Sequence, residues 1–324
     1  MTDKDRLVPD EGLAPASTAL PGGAGPLEEF TKPPSSQWRE VWDQFKNHKG
    51  ALYGGILFLV IVLWVYLGPF LWTIDATHID IRARNQGPSL THPFGTDQLG
   101  RDTFARMMAG GKTSVSVGIT AMLLALGLGS FVGVMAGYFR RLDGLLMRLT
   151  DLFLALPLLP LLLVMMLLFR DPLNAAFGPE RGIFILIVAA IGVTSWMPTA
   201  RIVRGDVLAI KEREFILAAR SIGTTNAKMI LRHILPNVLS PIMVSATLGI
   251  ATAIITESAL SFLGLGFPPD FPTWGRLLFD ATDYLQQYPE RVLWPGLAIS
   301  LTVLSVNYLG DGLRDALDPR IRGR

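Results

Sequence analysis

The chain has 324 residues, half of them apolar and 17% charged, with a formal net charge of +2 and no cysteine. So few charges, against about a quarter in soluble domains, and a mean hydropathy of +0.40 exclude an ordinary water-soluble globule. The absence of cysteine excludes disulfides, thiolate catalysis and cysteine-based metal sites.

Residues 1–36 hold six prolines and a Gly-Gly pair with few large apolar groups, which reads as a disordered tail. From there Trp38, Trp42 and Phe45 recur at i, i+4 and i+7 among Arg39, Lys46 and Lys49, the pattern of a short amphipathic helix at headgroup level. An anchor and a partner-protein site are both compatible with it. Six stretches then run uncharged over membrane-spanning lengths: residues 51–74, 113–139, 152–169, 182–200, 239–256 and 292–310, the fifth continuing to about Leu263. The first is too long and too far from the start for a signal peptide. The expected fold is therefore all-α and polytopic, with six transmembrane helices.

Lys and Arg set the orientation. The N-terminal tail, residues 140–151, residues 201–238 and the C-terminal tail carry 20 of the 29 basic residues, so both termini are expected to be cytoplasmic. The resulting organisation is a tail at 1–36, an amphipathic helix with the first span at 37–90, an extracytoplasmic segment at 91–112, a five-span domain at 113–311 and a tail at 312–324.

Within the spans, Ala125, Gly129, Gly133 and Gly137 stand at strict i+4 spacing, a face that admits another helix closely. Pro157 and Pro160 in the third span predict a kink, either beside a translocation path or as a passive bend. Gly110-Gly111-Lys112-Thr113 imitates the end of a phosphate loop, but Arg106 occupies the required first glycine, so no nucleotide site is expected here. His48, His78, His92 and His233 all fall outside the spans, and neither a catalytic pair nor a metal cluster can be assembled. Glu257 is the ionisable group inside a span; an interhelix hydrogen bond, a subunit contact and a place on a transport path all compete for it.

Residues 201–238 form the longest inward loop. Leu208, Phe215, Ala218, Ala219 and Ile222 read as one apolar helical stripe, Gly223 as a C-cap, Thr224 or Thr225 as the next N-cap, and Pro236 as the end of a second helix. Ala218-Ala219, Gly223 and then His233-Ile234-Leu235-Pro236 resemble the cytoplasmic loop of importer permeases of the ATP-binding-cassette superfamily, with Leu217 and His233 departing from the pattern and Glu214 one turn away from the missing glutamate. The resemblance extends through His92-Pro93-Phe94-Gly95-Thr96-Asp97, Gly100-Arg101-Asp102, Glu257-Ser258, Trp274-Gly275 and Gly310–Pro319 to the second permease subunit of oligopeptide and dipeptide importers.

That resemblance implies a type I importer fold in a bacterial inner membrane. It also implies a homologous permease partner, an extracytoplasmic binding protein, and two cytoplasmic ATPases that hold ATP and Mg. This chain would carry no cofactor, no catalytic residue and no nucleic acid. Glu214, Ala218, Ala219, Gly223, His233, Leu235 and Pro236 would couple ATPase motion to the spans. Short peptides are the expected cargo; nickel, opines, glycosides and antimicrobial peptides are the alternatives.

Overall fold

A computed structural model describes residues 37–317, with side chains from Val41 onward. The expected tail at 1–36, the side chains of Trp38 and Arg39, and residues 318–324, including Pro319, lie outside this range.

Among the described residues every regular element is helical: α1 (Gln37–Asn47), α2 (Lys49–Leu71), a 3-10 turn (Ile81–Ala83), α3 (Thr103–Tyr138), α4 (Arg140–Ala155), α5 (Leu158–Phe177), α6 (Pro179–Thr194), α7 (Met197–Ile210), α8 (Glu214–Ser221), α9 (Asn226–Lys228), a π-turn segment (Met229–Ile234), α10 (Leu235–Phe262), α11 (Trp274–Thr282) and α12 (Glu290–Leu317). Five of these, α9 through α10 taken as one, are long and apolar enough to cross a membrane, and α6 with α7 makes a sixth span bent by 42°.

The expected spans are present, but their ends move. An uncharged run marks what lipid can cover, whereas the backbone ladder continues until a cap or a proline stops it. Thus α3 starts at Thr103 and not Thr113, because Asp102 caps it by accepting from the Phe104 amide. Residues 103–112, read as extracytoplasmic, are helical, and Gly110 and Gly111 lie within the helix and not in a loop.

The third span is displaced. Leu156, forced extended by the proline after it, separates α4 from α5, so Pro157 sits between two helices instead of kinking one. Pro198 stands at the start of α7, where its missing N–H suits the break at Ser195 and Trp196. The fourth span therefore continues to Ile210, ten residues into the expected loop.

Gly129, Gly133 and Gly137 pack α3 onto α7. A Cβ on Gly129 would lie 2.6 Å from the Trp196 carbonyl oxygen, one on Gly133 2.6 Å from that of Ala200, and one on Gly137 2.7 Å from Val207 Cβ. The register advances four residues on each helix, and Ala125, fully buried, continues it toward Trp196, Met197 and Ala200. Backbone contact this close is available only to a small-residue face.

Three further apolar clusters follow α3 along its length. Val115 joins Ile61, Val65, Met107, Trp274 and Leu277 at the α11 end; Val117 and Ala121 meet Ile183, Ile187 and Ile191 of α6; Val134 meets Val203, Val207, Ile216 and Met229 at the α8 end. The outward residues of α2 and α5, such as Leu59, Leu63, Phe70, Leu167 and Leu168, stay exposed and present a lipid-compatible surface. In α1, Trp42 stacks on Phe45 with 5.9 Å between centroids and Lys46 lies over Trp42.

Candidate functional site

At the α8 end the chain leaves α7, makes the two-turn helix α8 and re-enters the bundle through α9. The turn after α8 is a Schellman motif: the Thr224 amide donates to the Ala219 carbonyl at 3.2 Å and the Gly223 amide to that of Arg220 at 3.0 Å. Gly223 has φ +83, the left-handed conformation expected of it.

The expected stripe needs correction. Leu208 belongs to α7, and in α8 the inward residues are Ile216 and Ala219, which join the Val203–Val207–Met229 cluster. Phe215, Leu217 and Ile222 are 47%, 45% and 84% exposed, and Ala218 is exposed with them. An eight-residue helix anchored by two positions on one side leaves the rest of its apolar surface in the open. Glu214 is exposed in the first turn and forms no ion pair among the described residues.

The second helix does not end near Pro236. It passes from α9 through the π-turn segment into α10, and the Leu235 amide donates to the Ile230 carbonyl five residues back. Pro236, with no N–H to give to Arg232, is accommodated by this wide turn. His233 is half-buried in the π-turn segment, Leu235 is half-buried, and Pro236 is exposed.

The end of α3 is tied to the same region. Tyr138 Oη donates to Asn226 Oδ1 at 2.7 Å, and Lys211 Nζ donates to the Gly137 carbonyl at 3.1 Å. Arg204 holds Asp143 of α4 through both Nε and Nη2, and this hydrogen bonding keeps the Asp143 carboxyl below its ordinary value.

Glu257 lies near the opposite end with no exposed surface. Ser261 Oγ donates to its Oε1 at 2.7 Å and Ser114 Oγ to its Oε2 at 2.8 Å. The Ser114 oxygen in turn accepts from the Trp274 amide at 3.2 Å, so the carboxylate joins α3, α10 and α11. Gly275 seals the corner, since a Cβ there would meet the Ser258 carbonyl oxygen at 2.3 Å. A Gln at position 257 can still accept from one serine while the other hydroxyl reorients, whereas Leu strands a buried donor at about 1–3 kcal/mol. Glu257→Gln is therefore expected to keep membrane abundance and uptake within about twofold, and Glu257→Leu to lower thermal stability. A tenfold loss of uptake in the Gln variant at normal abundance would assign the charge itself to transport.

A second polar centre was invisible as such in the sequence. Asp97 Oδ1 accepts from the Leu99 and Arg101 amides, and Oδ2 from Arg101 Nε and Arg106 Nη1. Burial pushes the Asp97 carboxyl up, but Arg106 and Arg101 outweigh it and hold it below its ordinary value. Arg291 of α12 donates to Asn85 Oδ1 at 2.8 Å and to the Thr96 carbonyl at 2.6 Å, and Arg276 lies 2.9 Å from Asp280. The Gly-Thr-Asp and Gly-Arg-Asp strings were the available signal; their arginines read only as topology charges.

Among solved structures, the fold resembles a chain of the MetNI methionine ABC transporter in an inward-facing form. The TM-score is 0.51 at 16% identity, over 64% of this chain and 95% of that one. This is the architecture of a type I ABC importer permease. Residues 125–323 match the model of the binding-protein-dependent transport system inner membrane component, and residues 36–88 that of the N-terminal TM domain of oligopeptide transport permease C. The chain belongs to this family of inner-membrane transport permeases. It is 39% identical to the dipeptide transport system permease protein DppC of Alkalihalophilus pseudofirmus, over 96% of this chain and 99% of that one. It is 36% identical to the oligopeptide transport system permease protein OppC of Bacillus subtilis, over 97% and 99%.

Proposed function

We propose that this permease is one of two homologous membrane subunits of an ATP-driven importer of short peptides, and that α8 is its coupling helix. The α8 end faces the cytoplasm and the α11 end faces outward, in keeping with the 20 to 9 division of basic residues. The observation that carries the reading is the open apolar face of α8, set on a capped helix between two spans. One of two cytoplasmic ATPases takes the exposed Phe215 and Ile222, seven residues apart on one side of α8, into a groove, and an extracytoplasmic binding protein delivers cargo to the opposite end. ATP and Mg are bound by the ATPases. Peptide cargo is supported by the names of the relatives, a glutathione transport system permease protein GsiD from Pectobacterium atrosepticum at 36% identity among them.

Orientation is testable in this cysteine-free chain. Thr225→Cys is expected to resist an impermeant maleimide applied to intact cells and to react in inverted vesicles. Labelling from outside would reverse the assignment. Reconstituted with its partners, the permease is expected to support peptide-stimulated ATP hydrolysis and uptake; uptake of a non-peptide cargo alone would overturn the peptide reading.

A further inference from the structure

The α11 end contains a small open cleft lined by Asp97, Gln98, Arg106, Asp280 and Arg291 beside the apolar Met107, Leu277 and Pro295. Two guanidinium nitrogens there, Arg106 Nη2 and Arg291 Nη1, have no hydrogen-bond partner among the described residues. Their residues are only 2% and 7% exposed. The two side chains converge on neighbouring positions, since Arg106 Nη1 donates to Asp97 and Arg291 Nη2 to the carbonyl of Thr96.

The carboxylates in the cluster cannot quench these groups. Asp97 already accepts four hydrogen bonds, two of them from Arg101. Asp280 is in ionic contact with Arg276 at 2.9 Å, and Arg106 Nη2 reaches it only at 3.8 Å, beyond hydrogen-bonding range. Arg101, Arg106, Arg276 and Arg291 against Asp97, Asp280 and the Glu290 carboxylate that acts on Arg291 leave one positive charge in excess. Guanidinium does not shed its proton to relieve burial, so each free N–H edge calls for an acceptor; water or an anion can supply it, and the excess of positive charge favours the anion. The face of Arg291 is covered by Tyr288, 4.3 Å from its ring centroid, which directs recognition to the N–H edge. A planar carboxylate matches such an edge better than a spherical halide.

We propose that the cleft between Arg106 and Arg291 is a binding site for one carboxylate group. Two sources carry that chemistry: a free small carboxylate, or the C-terminal carboxylate of a peptide. The site follows from the arginines alone; only its use by a peptide rests on the import reading above.

Gln98→Cys places a thiol at the cleft in the full-length chain, and Leu90→Cys, on a fully exposed residue, serves as the reference. Maleimide labelling rates are measured in membranes with isethionate as the background anion, against acetate, trialanine and trialanine amide. Acetate and trialanine are expected to slow labelling at position 98 at least threefold without changing position 90, while the amide has no effect. Arg106→Lys and Arg291→Lys, which keep charge but lose the fork, are each expected to raise the half-protecting concentration tenfold or more. Trialanine acting at a tenth of the acetate concentration or below identifies the peptide terminus as the natural carrier, and equal concentrations identify a free carboxylate. A rate indifferent to all three compounds, or slowed equally by the amide, overturns the site; so does protection unchanged in both lysine variants. Should the variants not accumulate, the wild-type background titration decides alone.

Discussion

Gly133→Leu is expected to leave almost no folded chain in the membrane. A Cβ at this position would stand 2.6 Å from the Ala200 carbonyl oxygen and 2.8 Å from Val203 Cβ, both fixed atoms of α7. Even alanine has to push the helices apart, and that separation also lifts Gly129 and Gly137 off their seats. Overpacking a core usually costs about 1–3 kcal/mol. Here the obstacles are a backbone carbonyl and the Cβ of a β-branched side chain, neither of which can swing away, which puts leucine at or above the top of that range. Gly127→Leu is the control, because nothing among the described residues lies within 4 Å of a Cβ there. Membrane abundance and monodispersity after detergent extraction should be unchanged for Gly127→Leu and collapse for Gly133→Leu. Equal behaviour of the two would mean that α3 and α7 are held apart by something other than their glycine contact.

Gly223→Val is expected to spare insertion and abolish coupling. Among the described residues no atom lies within 4 Å of a Cβ at Gly223, so the effect is conformational: valine is forced into φ +83 or the Schellman turn opens. Asparagine enters that region readily, and Gly223→Asn should keep most activity. Ile222→Asp tests the exposed face instead of the turn, placing a charge where the proposed groove is apolar. Ala219→Glu, a natural first choice from the paired alanines, would not report on docking, because Ala219 faces the chain's own core. Both Gly223→Val and Ile222→Asp should reach normal membrane levels, lose uptake more than tenfold and copurify less ATPase. Wild-type copurification and peptide-stimulated hydrolysis in both would remove α8 from the force path.

Much of this was legible because lipid imposes a coarse rule. Charge-free runs of about 20 residues located the six spans, and the four-residue spacing of Ala125 to Gly137 marked a face on which another helix, α7, packs closely. What failed was local. The same rule says nothing about where hydrogen bonding stops, so the early start of α3 at Thr103, capped by Asp102, and the long extension of α7 were missed. On α8 the phase was wrong: eight residues crowded with apolar groups offer several stripes, and contact with Val207 and Met229 selects Ile216 and Ala219. The arginine cleft was unreadable because Asp97, Asp280 and Arg291 come from three separate stretches of sequence.

The π-turn segment sets how the chain length between α8 and the membrane can vary. A wide turn takes up one residue more than an α-turn while leaving the helices on either side facing as they would without it. Removing one residue within 229–234, together with Pro236→Ala, would return a regular helix with α8 and α10 still in phase. The same deletion at Gly249 would rotate everything on one side of it by about 100°, turning Glu257 away from Ser114 or α8 away from its seat. Single-residue length changes are therefore tolerable at one address along this 37-residue helix, and that address adjoins the helix through which the permease is proposed to be driven.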